Sequence, residues 1–211
     1  MDQNAPMQII LVRHGETALN AARVLQPPDT PLSALGLQQA GAVARRLAGD
    51  GVAGIVSSDL ARARQTAEAI AGRCQNLKVV LSPAFRERDF GDWRGLPYDS
   101  LPADALHTEA APPGGESAAD FAARCRQAWA ALLSLQAHLG GALVVVSHGL
   151  TIGQWLNGLP LAPGAGQRGE RLGNTAVTQV DATAPHTVRL FNCTRHLAAG
   201  LQEGAGSLSG G

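Results

Sequence analysis

Two histidines stand directly after apolar runs. Arg13-His14-Gly15 follows residues 9–12 (IILV), and Ser147-His148-Gly149 follows residues 142–146 (ALVVV). An imidazole so placed can act as a nucleophile, carry a proton or donate a hydrogen bond to an anion. Each is followed by a glycine that would let a ligand approach the backbone. Arg13 precedes the first histidine. Arg62 lies in "SSDLARARQTA", about one turn inside a helix whose start would offer backbone N–H groups to an anion. Arg64, in the same segment, reads as part of a solvated helix face. Glu87, in "FRERDFGDWRG", adds a carboxylate. Near two arginines and two histidines it is either an ion-pair partner or a proton donor, and charge logic alone favours the ion pair. Converging at strand ends, these residue types would build an anion site. The competing reading of each run is a strand that merely surfaces into solvent.

The elements that must position them follow from hydrophobic periodicity. Residues 8–12 read as a buried strand by their unbroken apolar run. A helix is expected from Ser33, with Leu37, Ala40, Ala44 and Leu47 at helical spacing and Asp50-Gly51 ending it. Residues 53–57 form a second strand, after which Ser58 can cap a helix through Leu60, Ala63, Ala67 and Ile70, stopped at Gly72. Residues 78–81 form a third, short strand. Between residues 92 and 115 the pattern fades into Pro, Gly and Ala, as in a loop or small cap. Ser117 opens the longest helix, with Asp120 completing a capping-box-like pair and Phe121, Cys125, Ala128, Leu132 and Leu135 as its buried stripe. The run 142–146 is a further strand, and strands near 175–181 and 187–192 complete the sheet. Alternating strands and helices imply an α/β fold, a mostly parallel sheet covered on both faces, in which ligands bind beyond the carboxyl ends of the strands. Residues 1–199 are expected to form one domain, and 200–211 a disordered tail.

Composition narrows the classes. The chain has 211 residues, is 45% hydrophobic and 16% charged, and carries zero formal net charge. No global field therefore attracts nucleic acid or an acidic membrane, and any anion affinity must be local. Cys74, Cys125 and Cys193 contain no C-x-x-C pair, which argues against a disulfide framework and a zinc knuckle. No signal-peptide pattern or spanning apolar run occurs, so a soluble cytoplasmic protein is expected. Three catalytic motifs fail. "HGE" lacks a following P-C-x-x-C, "VSHG" lacks the G-x-S-x-G elbow, and "PPGGES" lacks a phosphate-loop lysine.

The segments "RHGET", "SSDLARARQTA", "RERDFGDWRG", "PPGGES" and "VVVSHG", in this order from about residue 8 to residue 196, resemble the histidine phosphatase superfamily in its phosphoglycerate-mutase-like branch. The resemblance implies a three-layer α/β/α sandwich. It implies that His14 is the nucleophile that becomes a phosphohistidine, with Arg13, Arg62 and His148 surrounding the phosphate and Glu87 as the general acid. Asn20, Gln26 and the Gly149 backbone would complete the pocket. Glu116, Ser117 and His196 would stand at its rim, although capping of the following helix is an equal reading for Ser117. Arginines beside a histidine oppose its protonation and keep a lone pair available. Arginine forks can position and neutralise a phosphoryl group without metal or cofactor.

The superfamily also contains cofactor-dependent phosphoglycerate mutases, which resemble longer chains with extra basic residues for a second anion. Here only residues 88–113 separate Glu87 from "GGES". After Arg94 that stretch holds Asp99, Asp104 and Glu109 but no Arg or Lys. The expectation is a metal-independent phosphomonoesterase for a small phosphorylated metabolite, acting as a monomer or homodimer without nucleic-acid or membrane partners. The alternatives are a mutase, a protein phosphatase and a non-catalytic phosphate-binding relative. Leu19 in place of an aromatic, Pro27 after Gln26 and Leu150 after Gly149 depart from the family pattern and bear on the shape of the pocket.

Overall fold

The computed structural model describes residues 7–75, 77–160 and 171–202. Six strands form one sheet: β1 (Gln8–Arg13), β2 (Val52–Ser58), β3 (Val79–Ser82), β4 (Ala142–Ser147), β5 (Val177–Asp181) and β6 (Val188–Cys193). Their order is β3-β2-β4-β1-β5-β6. The β3–β2, β2–β4 and β4–β1 pairings are parallel, whereas β1–β5 and β5–β6 are antiparallel. The sheet is thus mixed. The link between β5 and β6 is too short for a helical crossover, so that pair must close as a hairpin.

Strand alternation divides the core between the two faces. Ile9, Leu11, Leu143 and Val145 pack with Phe121, Cys125, Ala128, Trp129 and Leu132 of α4 (Ala118–Gln136) and with Ile152 and Trp155 of α5 (Gly149–Gly158). Ile10, Val12, Ile55, Val144 and Val146 pack with Val43, Ala44 and Leu47 of α2 (Ala34–Leu47) and with Ala63, Ala67 and Ile70 of α3 (Ala61–Ala71). Both faces are buried, which explains the unbroken apolar strands. A one-turn helix, α1 (Ala18–Ala21), precedes α2. Two of the expected helix-face residues differ: Leu37 is 55% and Leu135 is 40% exposed, and Trp129 and Gln136 take the buried positions near the end of α4. The structure also corrects the expected cap of α3. Its N-cap is Leu60, and Ser58 is the last residue of β2.

The expected tail lies outside the described residues from 203 onward; Ala199–Leu201 form a 3-10 turn whose Leu201 carbonyl accepts a bond from Gln39. No helix among the described residues is long and apolar enough to cross a membrane. Cys74, Cys125 and Cys193 are buried free thiols.

The glycine after His14 has a different reason from the one expected. A Cβ on Gly15 would lie 2.7 Å from the Gly36 carbonyl oxygen, and one on Gly36 would lie 2.0 Å from the Glu16 carbonyl oxygen. The loop after β1 therefore packs backbone against backbone on α2. Gly36→Ala should force them apart and cost at least the roughly 1–3 kcal/mol of an overpacked core. Thermal denaturation checks this, and a melting temperature equal to that of the wild type would contradict the packing account.

Candidate active site

Arg13 pairs in register with Ser147, so His14 and His148 leave neighbouring strand ends side by side. Their ring centroids are 5.1 Å apart and inclined by 58°. The His14 amide donates to the Ser147 carbonyl at 3.0 Å, and its own carbonyl accepts from the Asn174 side chain at 2.9 Å. Its Nδ1 lies 2.7 Å from the Gly15 carbonyl, which can only accept. Nδ1 must therefore carry a proton, and the lone pair of the neutral form lies on Nε2.

His148 is held the other way round. Its Nε2 lies 2.8 Å from Ser58 Oγ. Ser58 is fully buried and its Oγ accepts from the Leu60 amide; among the described residues His148 Nε2 is the one acceptor for its hydroxyl hydrogen, which therefore points to the imidazole. That leaves the proton on Nδ1, a buried N–H with no hydrogen-bond partner among the described residues. Burial, then the charge of Arg62, push the His148 pKa well below its ordinary value, so the ring is neutral.

Two arginines flank the pair. Arg13 is wholly buried, with Nη1 donating to the Leu172 carbonyl at 2.6 Å. Arg62, the second residue of α3, sits nearer the start of the helix than expected, and its Nη1 donates to the Pro27 carbonyl at 3.2 Å. Burial lowers its pKa to about 10, with Glu87 opposing the shift and Arg13 adding to it, so it stays charged at neutral pH. Thr66 links this helix to the loop after β1, accepting from the Gly15 amide and donating to the Arg62 carbonyl.

Glu87 reaches the same place from beyond β3. Its Oε1 accepts from the Arg88 amide, the Thr151 amide and the Thr151 hydroxyl, and its Oε2 accepts from the Leu150 amide at 2.9 Å. Two amides bond Oε1 against one on Oε2, and the single hydrogen of the Thr151 hydroxyl lies between Oε1 and the Arg86 carbonyl, so Oε2 is the oxygen better placed to carry a carboxyl proton. Burial raises the Glu87 pKa and outweighs these bonds and the nearby Arg62, all of which favour the anion. Among the described residues the ion pair that charge logic favoured does not form: the donors to Glu87 are amides and a hydroxyl.

Residues 9–194 match the histidine phosphatase superfamily (branch 1). The chain belongs to the histidine phosphatase superfamily. It is 40% identical over 185 residues to a probable phosphoglycerate mutase GpmB of Yersinia enterocolitica, covering 83% of this chain and 85% of that one. A mycobacterial glucosyl-3-phosphoglycerate phosphatase in complex with VO3 superposes with a TM-score of 0.74 at 32% identity, covering 90% of this chain and all (100%) of that one. An Entamoeba histolytica phosphoserine phosphatase mutant in complex with phosphoserine gives 0.75 at 29% identity, covering 90% and 99%.

Around these strand ends, the structure places the remaining expected residues at varying remove. Asn20 is buried and forms a reciprocal cap with Thr17, whose hydroxyl donates to Gln26 Oε1 at 2.6 Å. Gln26 lines a cleft with Arg62, Glu87, Arg88, Phe90 and Arg94. Gly149 opens α5 beside His148. Glu116 makes a two-pronged ion pair with Arg124, which also donates to the carbonyls of Ala84, Arg86 and Glu87. Ser117 caps α4 and bonds Asp120. His196 bonds Arg46 and Thr175, and burial with the Arg46 charge lowers its pKa to about 4. A larger cavity of about 360 Å³, lined by Cys125, Trp129, Trp155 and His186, contains none of the strand-end residues.

Sequence reasoning missed four participants. Ser58 was expected as a helix cap, whereas Thr66, Thr151 and Arg124 carried no signal beyond their helices. Arg124 braces the segment that carries Glu87. Among the described residues no group of three or more His, Cys, Asp or Glu side chains could hold a metal.

Proposed function

We propose that the protein is a phosphomonoesterase that works through a phosphohistidine on small phosphorylated substrates. One observation carries the reading: two facing imidazoles are held in opposite senses, His14 by Nδ1 and His148 by Nε2, between two buried arginines and a buried acid. His14 Nε2 attacks phosphorus as the bond to the ester oxygen breaks. Arg13, Arg62 and His148 Nδ1–H neutralise the transferring group. The leaving oxygen takes the proton of Glu87. Water then attacks the phosphohistidine, giving its proton to the Glu87 carboxylate, and the N–P bond breaks to restore His14 and release phosphate. Asn20, Gln26 and the Gly149 amide complete the phosphate pocket in this reading, with Glu116 and Ser117 acting behind it.

The relatives' name favours a second reading, in which the phosphoryl group returns to an acceptor alcohol. The charges of the cleft favour water. Beyond Arg62, its other arginines are engaged: Arg88 donates to the carbonyls of Leu106, Thr108, Ala110 and Glu116, and Arg94 pairs with Asp89 at 3.0 Å. A second anionic group would lack a dedicated partner among these lining residues. Small substrates are further supported by neighbours named for glucosyl-3-phosphoglycerate, phosphoserine and α-ribazole-5'-P. The test is phosphate release from a panel of monoesters with and without chelator, alongside 3-phosphoglycerate primed with bisphosphoglycerate. Chelator-resistant release is expected. Isomer formation without net phosphate loss would establish the mutase instead.

A further inference from the structure

The cavity of about 360 Å³ lies between α4 and α5, apart from the strand ends. Its volume falls in the range of roughly 300–1,000 Å³ typical of small-molecule sites. Trp129 and Leu133 of α4 form one wall, and Trp155 of α5, with Leu159 just beyond it, forms the other. The two indoles meet at 6.0 Å between centroids, inclined by 45°, and make an aromatic corner. Trp155 Nε1 donates to the Cys125 carbonyl at 2.9 Å, which fixes that ring in place. Burial pushes the Cys125 thiol up to about 12, so it serves as wall and not as nucleophile.

Two polar side chains border this apolar corner. The first is His186, between β5 and β6. Its amide donates to the Pro160 carbonyl at 2.9 Å, and its ring stands edge-on to Trp129 with centroids 5.7 Å apart. Its Nδ1 lies 2.8 Å from the Asp181 carbonyl, which can only accept. Nδ1 therefore carries a proton, and the lone pair of the neutral form lies on Nε2. His186 is only 3% exposed, yet Nε2 has no partner among the described residues and is not sealed from solvent. The space onto which this lone pair opens is the cavity that the ring lines. The second is Arg126, one turn before Trp129 on the same face of α4. It lines the cavity and makes no hydrogen bond or ion pair among the described residues. Trp129 thus stands between an acceptor and a cation. Their complement is a flat apolar molecule with a donor at one end and an anion at the other.

We infer that this cavity is a second binding site, which takes an aromatic carboxylate bearing a ring hydroxyl or N–H. The ring lies against Trp129 and Trp155, the hydroxyl or N–H donates to His186 Nε2, and the carboxylate pairs with Arg126. None of these residues takes part in the chemistry proposed above, so the site stands whether or not that reaction does.

The probe is 4-hydroxybenzoate, and benzoate and phenol each lack one of its two polar groups. Calorimetric titration of the full chain should give saturable binding at about 1 mM or tighter, the scale set by about ten non-hydrogen atoms. Benzoate and phenol should each bind about 10-fold more weakly, as the loss of one hydrogen bond or ion pair implies. Tryptophan fluorescence should change with the same midpoint, since Trp129 and Trp155 both line the cavity. Saturating inorganic phosphate should not displace the probe. Arg126→Gln should lose the discrimination between 4-hydroxybenzoate and phenol. His186→Asn keeps a donor for the Asp181 carbonyl but removes Nε2, and should lose the discrimination between 4-hydroxybenzoate and benzoate. If His186→Asn does not fold, Arg126→Gln decides alone, because Arg126 is exposed and its replacement leaves the core intact. No saturable binding, equal affinity for the three probes, or unchanged discrimination in Arg126→Gln would overturn the inference. So would displacement by phosphate, or binding that weakens as protein concentration rises, the sign of a second copy filling the cavity.

Discussion

His14→Ala should abolish phosphate release, with kcat/KM falling on the order of 10⁵-fold, the scale seen when a covalent nucleophile is removed. The loss is chemical and not structural. The backbone bonds of residue 14 to Ser147 and Asn174 do not depend on the ring, and the variant gives up the bond from Nδ1 to the Gly15 carbonyl and the ring contact with His148. Leaving that carbonyl unsatisfied costs about 1–3 kcal/mol. Arg13, Arg62 and His148 stay in place, so the variant should still bind substrate with an affinity close to that of the wild type. Stopped reactions of the wild type should contain protein-bound phosphate that is labile to acid and stable to base, as a P–N bond requires, and the variant should contain none. A variant that retains more than about a hundredth of wild-type activity would rule out covalent catalysis at this residue.

Glu87→Gln should cost about 10²- to 10⁴-fold on alkyl phosphates, the range of general-acid contributions, and far less on p-nitrophenyl phosphate, whose leaving group needs little help from a proton. The pH dependence carries a sign. Burial raises the Glu87 pKa, so the carboxyl stays protonated to higher pH than an ordinary glutamate, and in the proposed mechanism the protonated form starts the reaction. Wild-type kcat/KM on alkyl esters should therefore fall as pH rises through that raised value, and the falling limb should vanish in the variant. Stability follows the same direction. Between the unfolded and folded pKa the native state holds the extra proton, so the contribution of Glu87 is fully present below the unfolded value and lost as pH rises through the folded one. The amide also sets a donor against the Leu150 or Thr151 amide and should lower the melting temperature. An unchanged pH profile in Glu87→Gln would remove this residue from the role of acid.

Much of this arrangement was legible in the sequence because it is local. Apolar runs placed the strands, and the histidine after two of them placed the centre of the site. The mixed sheet was less visible. An unbroken apolar run signals burial on both faces but carries no direction, although the few residues between β5 and β6 exclude a crossover. Helix α5 went unread because it begins at the site itself, directly after His148, without a side-chain cap of its own. Ser58 shows a second limit. A serine before a helix is a good cap by local rules, yet here it ends a strand and faces a histidine 90 positions away. Arg88 and Arg124 likewise sit among ordinary surface arginines in the sequence, and only the folded chain shows them gathering carbonyls from the cap and from the Glu87 segment. Gly15 was legible as a necessary glycine, but its partner Gly36 was not, since their contact joins two elements.

Helix α5 borrows its N-terminal anion from the acid. Positive charge at the start of this helix is answered by a carboxyl group that, in the proposed mechanism, alternates between neutral and charged once per turnover. When Glu87 gives up its proton, its grip on the first turn of α5 tightens; when it regains the proton, that grip relaxes. The proton's position is therefore felt along α5, whose Ile152 and Trp155 are set in the core. In the proposed mechanism, the step that protonates the leaving group and the anchoring of a core helix are one electrostatic event.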